Sequence, residues 1–264
     1  MLGEQDSRLN GCVNGYVKDR LAELDITALT DADTASVEAL FAWAEANPGR
    51  VAYPAPPDFT GSMAVRTFLF DTAGGPEAFL GEFDEQAYEQ AAPALWERLN
   101  ELEPSLWRQG STCPADQGQV QALFAGDEID AYLTYGSSAV GGLVEKGELP
   151  DTTRSAVFEA GNLGNYSFTA IPYNAGDKEA AMVLADLLLS PEAALVNAGP
   201  DGAGFTSAID LSRLPAEQAA EFEELQESPY QVPPAELAAA TLPEVSADYV
   251  NRLEKDWKAN VLQK

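Results

Sequence analysis

Short apolar stretches alternate with stretches of helical period through most of this 264-residue chain, and that alternation restricts the fold more than any other feature. Arg50-Val51-Ala52-Tyr53 reads as a short buried strand. Pro54-Ala55-Pro56-Pro57 ends it, because proline cannot donate to a ladder. Ile129 to Tyr135 reads as a second strand, followed by Gly136-Ser137-Ser138 and a helix to Gly147. Arg154 to Phe158 and Tyr166 to Ile171 read as extended. Between them Gly161-Asn162-Leu163-Gly164-Asn165 reads as a turn-rich crossing.

Helical patterns fill the intervals. A cap at Asp33 or Thr34 precedes Val37, Leu40, Phe41 and Ala44, and Asn47-Pro48-Gly49 stops that helix. Met63 to Phe70 is expected to be helical up to Gly74-Gly75. Glu85 to Leu102 carries Tyr88, Ala92, Leu95, Trp96 and Leu99 on one face, with Pro93 expected to kink it or start a new helix. Further helices are expected over Asp116 to Phe124, Asp177 to Leu189, Pro191 to Asn197, Pro215 to Leu225 and Ser246 to Leu262. Pro229, Pro233 and Pro234 mark a loop. Residues 1–32 carry no firm pattern. Strands alternating with helices predict an α/β fold.

Charge and missing residue types narrow the chemistry. Fifteen Lys+Arg stand against 43 Asp+Glu, a formal charge of −28, so nucleic acid would be repelled rather than bound through counterion release. The acids are spread over the chain, as on a highly soluble surface or one adapted to high salt, where screening relieves self-repulsion. With no histidine, Ser-His-Asp and Cys-His catalysis and every His-ligated metal site are excluded. Cys12 and Cys113 form no CxxC, and their spacing does not say whether they meet. Leu9-Asn10-Gly11-Cys12 has the outline of a lipoprotein cleavage box without the apolar segment that should precede it, so no targeting signal is expected here. No run approaches the ~18 apolar residues of a membrane span.

Polar turns at strand ends are the candidate binding features. Thr60-Gly61-Ser62 follows a strand and opens a helix, where unpaired amides either receive an anion or are simply capped. Tyr135-Gly136-Ser137-Ser138 repeats the pattern, and ligands of open α/β sheets collect outside the carboxyl ends of strands. Tyr53, Trp107 and Tyr166 are candidates either for apolar walls around a flat ligand or for ordinary core.

Several of these stretches together resemble a family. They are Glu45-Ala46-Asn47-Pro48-Gly49-Arg50, Tyr53 through Ser62, Leu106-Trp107-Arg108-Gln109-Gly110, Leu133-Thr134-Tyr135, Gly161 through Asn165, Ala170 through Ala175, and Ala185 through Ala193. In that order they resemble the YnjB-type solute-binding proteins of ABC importers, relatives of thiamine- and iron-binding periplasmic proteins. The resemblance implies a type II periplasmic-binding-protein-like α/β fold of two lobes with crossing strands and an incomplete first lobe. Residues 1–50 would be a remnant of the first lobe and 51–159 the second lobe. Residues 160–264 would hold the hinge crossing and the rest of the first lobe. The implied function is capture of a small solute, anionic or thiamine-like, in the interlobe cleft. A protein of the periplasm or outer surface would then dock on a membrane permease, as a monomer without cofactor, metal or catalytic residue. The competing reading is an enzyme on a similar two-lobed fold, using carboxylates or a transferase-like site. The expected ligand-binding residues are Tyr53, Thr60, Gly61, Ser62, Trp107, Tyr135, Ser137 and Asn165. Thr60-Gly61-Ser62 resembles the phosphate-holding turn of the thiamine binders.

Overall fold

Ser36 decides where the first long helix begins. Its extended backbone and its Oγ, which accepts from the Ala39 amide at 3.0 Å, cap α1 (Val37–Ala46) one residue before the first buried position of its face. Of the two expected caps, Asp33 closes the preceding turn, accepting from the amide and hydroxyl of Thr30 at 2.8 and 2.7 Å, and the Thr34 hydroxyl donates back to the Asp31 carbonyl at 3.3 Å. The computed structural model describes residues 9–12, 29–135, 138–165, 168–199, 209–226 and 228–263.

After β2 (Val51–Ala52) the chain enters α2 (Phe59–Ala73), which starts four residues before the expected Met63 because Asp58 caps it. Every residue from Thr60 to Phe70 is buried, so α2 is the central helix of the protein rather than a surface one. Gly74, at φ 78°, supplies the left-handed cap that ends it. The amphipathic α3 (Glu85–Leu102) runs through Pro93 as one helix. The proline sits on the exposed side, and no second helix begins there.

Beyond α4 (Gln117–Ala125) the expected strand 129–135 divides into β3 (Ala131–Tyr132) and β4 (Thr134–Tyr135), with Leu133 between them. β3 lies parallel to β2, pairing Ala131 with Val51 and Tyr132 with Ala52. β4 instead pairs antiparallel with β1 (Leu9–Cys12), in a four-stranded sheet of order β4-β1-β5-β6. α5 (Ser138–Glu145) follows.

The next region reverses the sequence reading. The turn-rich Asn162–Asn165 is a strand, β5, antiparallel to β1 and parallel to β6 (Thr241–Leu242). Arg154 to Phe158 is not a strand. The Ser155 amide bonds the Tyr230 carbonyl at 3.0 Å, and the Phe158 amide bonds the Asn162 side chain at 2.8 Å, so this stretch joins no ladder. Residues 168–171 of the other extended stretch are likewise outside any strand, and 166–167 lie outside the described residues. α6 (Lys178–Leu188), α7 (Pro191–Ala198) and α8 (Ala216–Gln226) follow as expected. α9 (Pro234–Ala239) occupies the proline-marked loop, since proline is well tolerated in a first helical turn. α10 (Ala247–Trp257) continues into a π-helical turn over Lys258–Leu262.

Two main cores result. The larger one joins α1, α2 and α3 to α10 through residues such as Leu40, Phe68, Leu99 and Trp257. Packing is therefore continuous across residues 50 and 51, and from this region to the C-terminal helix. The smaller core holds Trp107, Val120, Phe124, Ile129 and Tyr132. Among the described residues no helix is long and apolar enough to cross a membrane.

Candidate functional site

The carboxyl end of β4 meets the first turns of α2, where the polar side chains form two adjoining groups, one around Asp58 and one around Arg66. Asp58, Ser62 and Arg66 are four residues apart, which puts them along one line of the helix. The Asp58 carboxylate accepts from the amides of Thr60 and Gly61 at 2.9 and 3.0 Å and from the Thr60 hydroxyl at 2.6 Å. The amides that the sequence offered to an anion are thus satisfied by the chain's own carboxylate, and this turn is N-capped.

Arg66 is the buried cation of the site, 3% exposed. Its Nη1 donates to Ser62 Oγ at 2.6 Å, and Ser62 in turn donates to Glu254 at 2.6 Å. Its Nη2 donates to Glu244 at 3.1 Å and to the Tyr135 hydroxyl at 3.4 Å. Nε approaches Glu244 within 3.0 Å but off the N–H line, an ion-pair contact without a formed hydrogen bond. Glu244 is held in turn by the Val245 amide at 2.9 Å. Glu244 is the carboxylate paired with the guanidinium, and Glu254 joins only through Ser62, so the group holds two carboxylates for one guanidinium.

An aromatic pair borders this network. The Phe59 and Tyr135 rings stack at 4.6 Å with 27° between their planes, and Phe59 is 56% exposed. Next to β4, Gln117 Nε2 donates to Thr134 Oγ1 at 2.6 Å, while Gln117 Oε1 is buried without a hydrogen-bond partner. The arrangement offers a flat apolar face, a buried guanidinium and surplus carboxylates. Among the described residues no group of three or more metal-ligating side chains forms.

Of the expected site residues, the structure brings together Thr60, Gly61, Ser62 and Tyr135. Tyr53 is in the larger core, edge-on to Phe68 and Trp257, and accepts a hydrogen bond from the Trp257 indole at 3.2 Å. Burial pushes its phenol far above the usual tyrosine range, and Cys113 and Glu103 add to that shift. Trp107 belongs to the smaller core, donates to Glu128 at 3.1 Å and is covered by the Arg108 guanidinium 4.1 Å from its ring. Asn165 ends β5, opposite Leu9. Ser137 and Tyr166 lie outside the described residues. Sequence reasoning missed Phe59, Arg66, Gln117, Glu244 and Glu254. A lone arginine within the apolar run Met63 to Phe70 was the one local signal, since a buried charge demands partners.

Comparison with known proteins gives the family and the fold. The sequence pattern of the bacterial extracellular solute-binding proteins matches residues 15–221. Protein YnjB of Escherichia coli (strain K12) is 36% identical over 221 residues, covering 83% of this chain and 55% of YnjB, so the match spans about half of that relative. An ABC transporter structure from Clostridium perfringens ATCC 13124 aligns with a TM-score of 0.58 at 16% identity, over 97% of this chain and 68% of that one. A periplasmic thiamin binding protein aligns at 0.56 with 19% identity, over 97% of this chain and 65% of that chain. The spermidine/putrescine ABC transporter substrate-binding protein PotD from Streptococcus pneumoniae aligns at 0.54 with 15% identity, over 96% and 67% of the two chains. The fold is accordingly the two-lobed α/β fold of type II periplasmic binding proteins. With the sequence match extending over most of its length, the chain belongs to the bacterial extracellular solute-binding protein family.

Proposed function

We propose that the protein captures a small solute outside the cytoplasm, in the periplasm or at the outer surface, and delivers it to the membrane permease of an ABC importer. The solute seats at the carboxyl end of β4. Its flat, thiamine-like part lies on the open face of Phe59, beside Tyr135, and its polar part lies against the Arg66 network. The surplus of Glu244 and Glu254 over Arg66 favours a solute with positive charge, and the Asp58 cap argues against an anion held by the α2 amides. Residues 51–159 supply Phe59, Arg66 and Tyr135, and residues 160–264 supply Glu244 and Glu254. The single observation that carries the site is the half-exposed Phe59 stacked over Tyr135 at the edge of a buried ion-pair network.

The test is a calorimetric and thermal-shift screen with thiamin, thiamin phosphate and putrescine. A solute at about a hundred times its dissociation constant should add roughly 2.7 kcal/mol of stability. It should be recovered unchanged, and Phe59→Ala should weaken it at least tenfold while the solute-free melting point holds within a few degrees. A solute that is chemically altered, or one that binds Phe59→Ala with full affinity, overturns the reading.

A further inference from the structure

We propose that Glu254 is the residue that selects the solute's charge, and that the solute is a flat organic cation with a single positive charge. The inference rests on the site proposed above and narrows its charge recognition to one carboxylate. Asp58, Glu244 and Glu254 all lie at that site, and two of them are already answered. Asp58 accepts from the Thr60 and Gly61 amides at 2.9 and 3.0 Å, where the positive end of the α2 dipole also offsets its charge. Glu244 holds the Arg66 guanidinium, with Nε at 3.0 Å and Nη2 at 3.1 Å, and accepts from the Val245 amide at 2.9 Å.

Glu254 has no such partner. Its Oε1 accepts from the Ser62 hydroxyl at 2.6 Å, a neutral donor, and among the described residues it forms no ion pair. Its own helix supplies no cation either. Arg252 of α10 is held by Asp256 at 2.7 Å and by Glu85 at 3.4 Å, while Lys255 and Lys258 are exposed and unpaired with it. Glu254 is only partly exposed, so water substitutes for the missing partner incompletely. Its position ties it to the aromatic face. Ser62 follows Phe59 by three residues, which makes the two neighbours on the surface of α2. Arg66 donates to both Ser62 and the Tyr135 hydroxyl, at 2.6 and 3.4 Å, and Tyr135 is the ring stacked on Phe59. Phe59 remains 56% exposed, and the face of an aromatic ring attracts a cation. A flat cation on Phe59 therefore meets the ring and, one helical turn along α2, the one unanswered carboxylate. A second cationic centre would have no carboxylate left to meet.

The test compares two probes of one shape by titration calorimetry. Nicotinamide methylated on its ring nitrogen carries one positive charge, and meta-toluamide is its neutral isostere. The wild-type chain should bind the cation about tenfold more tightly than the isostere, the size of one partly buried charge contact. Glu254→Gln should erase that preference and leave the affinity for the isostere in place. Glu254→Asp keeps the charge and should keep the preference, which separates loss of charge from loss of fold. Glu89→Gln, at an exposed carboxylate of α3, should keep it as well, because the preference belongs to one residue and not to the acidic chain as a whole. A wild type that binds neither probe or both equally overturns the proposal. So does a preference that survives Glu254→Gln or disappears in Glu89→Gln, or tighter binding of the dication putrescine. Phe59→Ala tells the two readings apart. If it weakens both probes while Glu254→Gln leaves the preference, only the charge assignment falls. If it leaves both affinities unchanged, the site falls with it.

Discussion

Gly61 lies so close to Pro54 that a Cβ on the glycine would sit 2.2 Å from the proline's carbonyl oxygen and 2.8 Å from its carbonyl carbon. The first turn of α2 is pressed against the rigid segment that ends β2, and only a residue without a side chain fits between them. Gly61→Ala must displace one backbone or the other. The expected cost is about 1–3 kcal/mol, the range for overpacking, read as a lower urea midpoint with an unchanged slope. An alanine variant as stable as the wild type would mean that the two backbones part here without cost.

Arg66 and Glu244 should respond unequally to loss of their partner. Arg66 is 3% exposed on its side chain and Glu244 28%, so Glu244 can turn to water but Arg66 cannot. Glu244→Gln leaves a buried guanidinium short of a counter-charge and should cost about 3 kcal/mol. Arg66→Met frees Glu244 to solvent and should cost less, about 1–2 kcal/mol. Equal losses in urea unfolding would contradict the asymmetry.

Gly164→Pro tests whether β5 is a hinge or a structural strand. Gly164 faces Asn10 of β1, and the preceding residues Asn162 and Leu163 pair with Thr241 and Leu242 of β6. Proline inside a strand bordered on both sides removes a ladder donor. Loss of the cooperative transition is expected, not a shift between open and closed forms. A cooperatively folded variant would return the segment to the role of a hinge.

Cys113 is a free thiol, and burial, reinforced by Glu103, raises it to about 11. With the folded value above the unfolded one, the thiol's contribution to stability is complete below about pH 9. It is lost as pH climbs toward 11, because the unfolded chain ionises first. In a Cys12→Ser background, iodoacetamide labelling should be slow at pH 8 and rise steeply above pH 10. Fast labelling at pH 8 would show an accessible thiolate.

Elements with local signals were legible from residue types alone. α3 and α4 carry Asp84 and Asp116 as side-chain caps and end within a residue or two of where their patterns stop. β5 was not legible, because Asn, Leu, Gly and Asn have poor strand propensity and become a strand only through neighbours near residues 10 and 241. The candidate site divides in the same way. Ser62 and Tyr135 sit at turns that the chain announces locally, whereas Glu254 reaches Ser62 from 192 residues away, and no window of sequence contains both. Asp58 was visible as a turn residue. Its capture of the amides could be read only once the helix was known to start at Phe59.

Leu133 gives the molecule a mechanical coupling. One residue separates β3, which belongs to the parallel pair with β2, from β4, which belongs to the four-stranded sheet, and its side chain is 1% exposed in the larger core. A single residue spans only about 3.3 Å of strand, too little slack to absorb a rotation of one sheet against the other. Any such rotation must therefore be transmitted to Tyr135, two positions on, and so to its stack with Phe59. The spacing of that aromatic pair acts as a gauge of the angle between the sheets. A fluorophore-free readout such as the Tyr135 ring resonances would follow that angle directly.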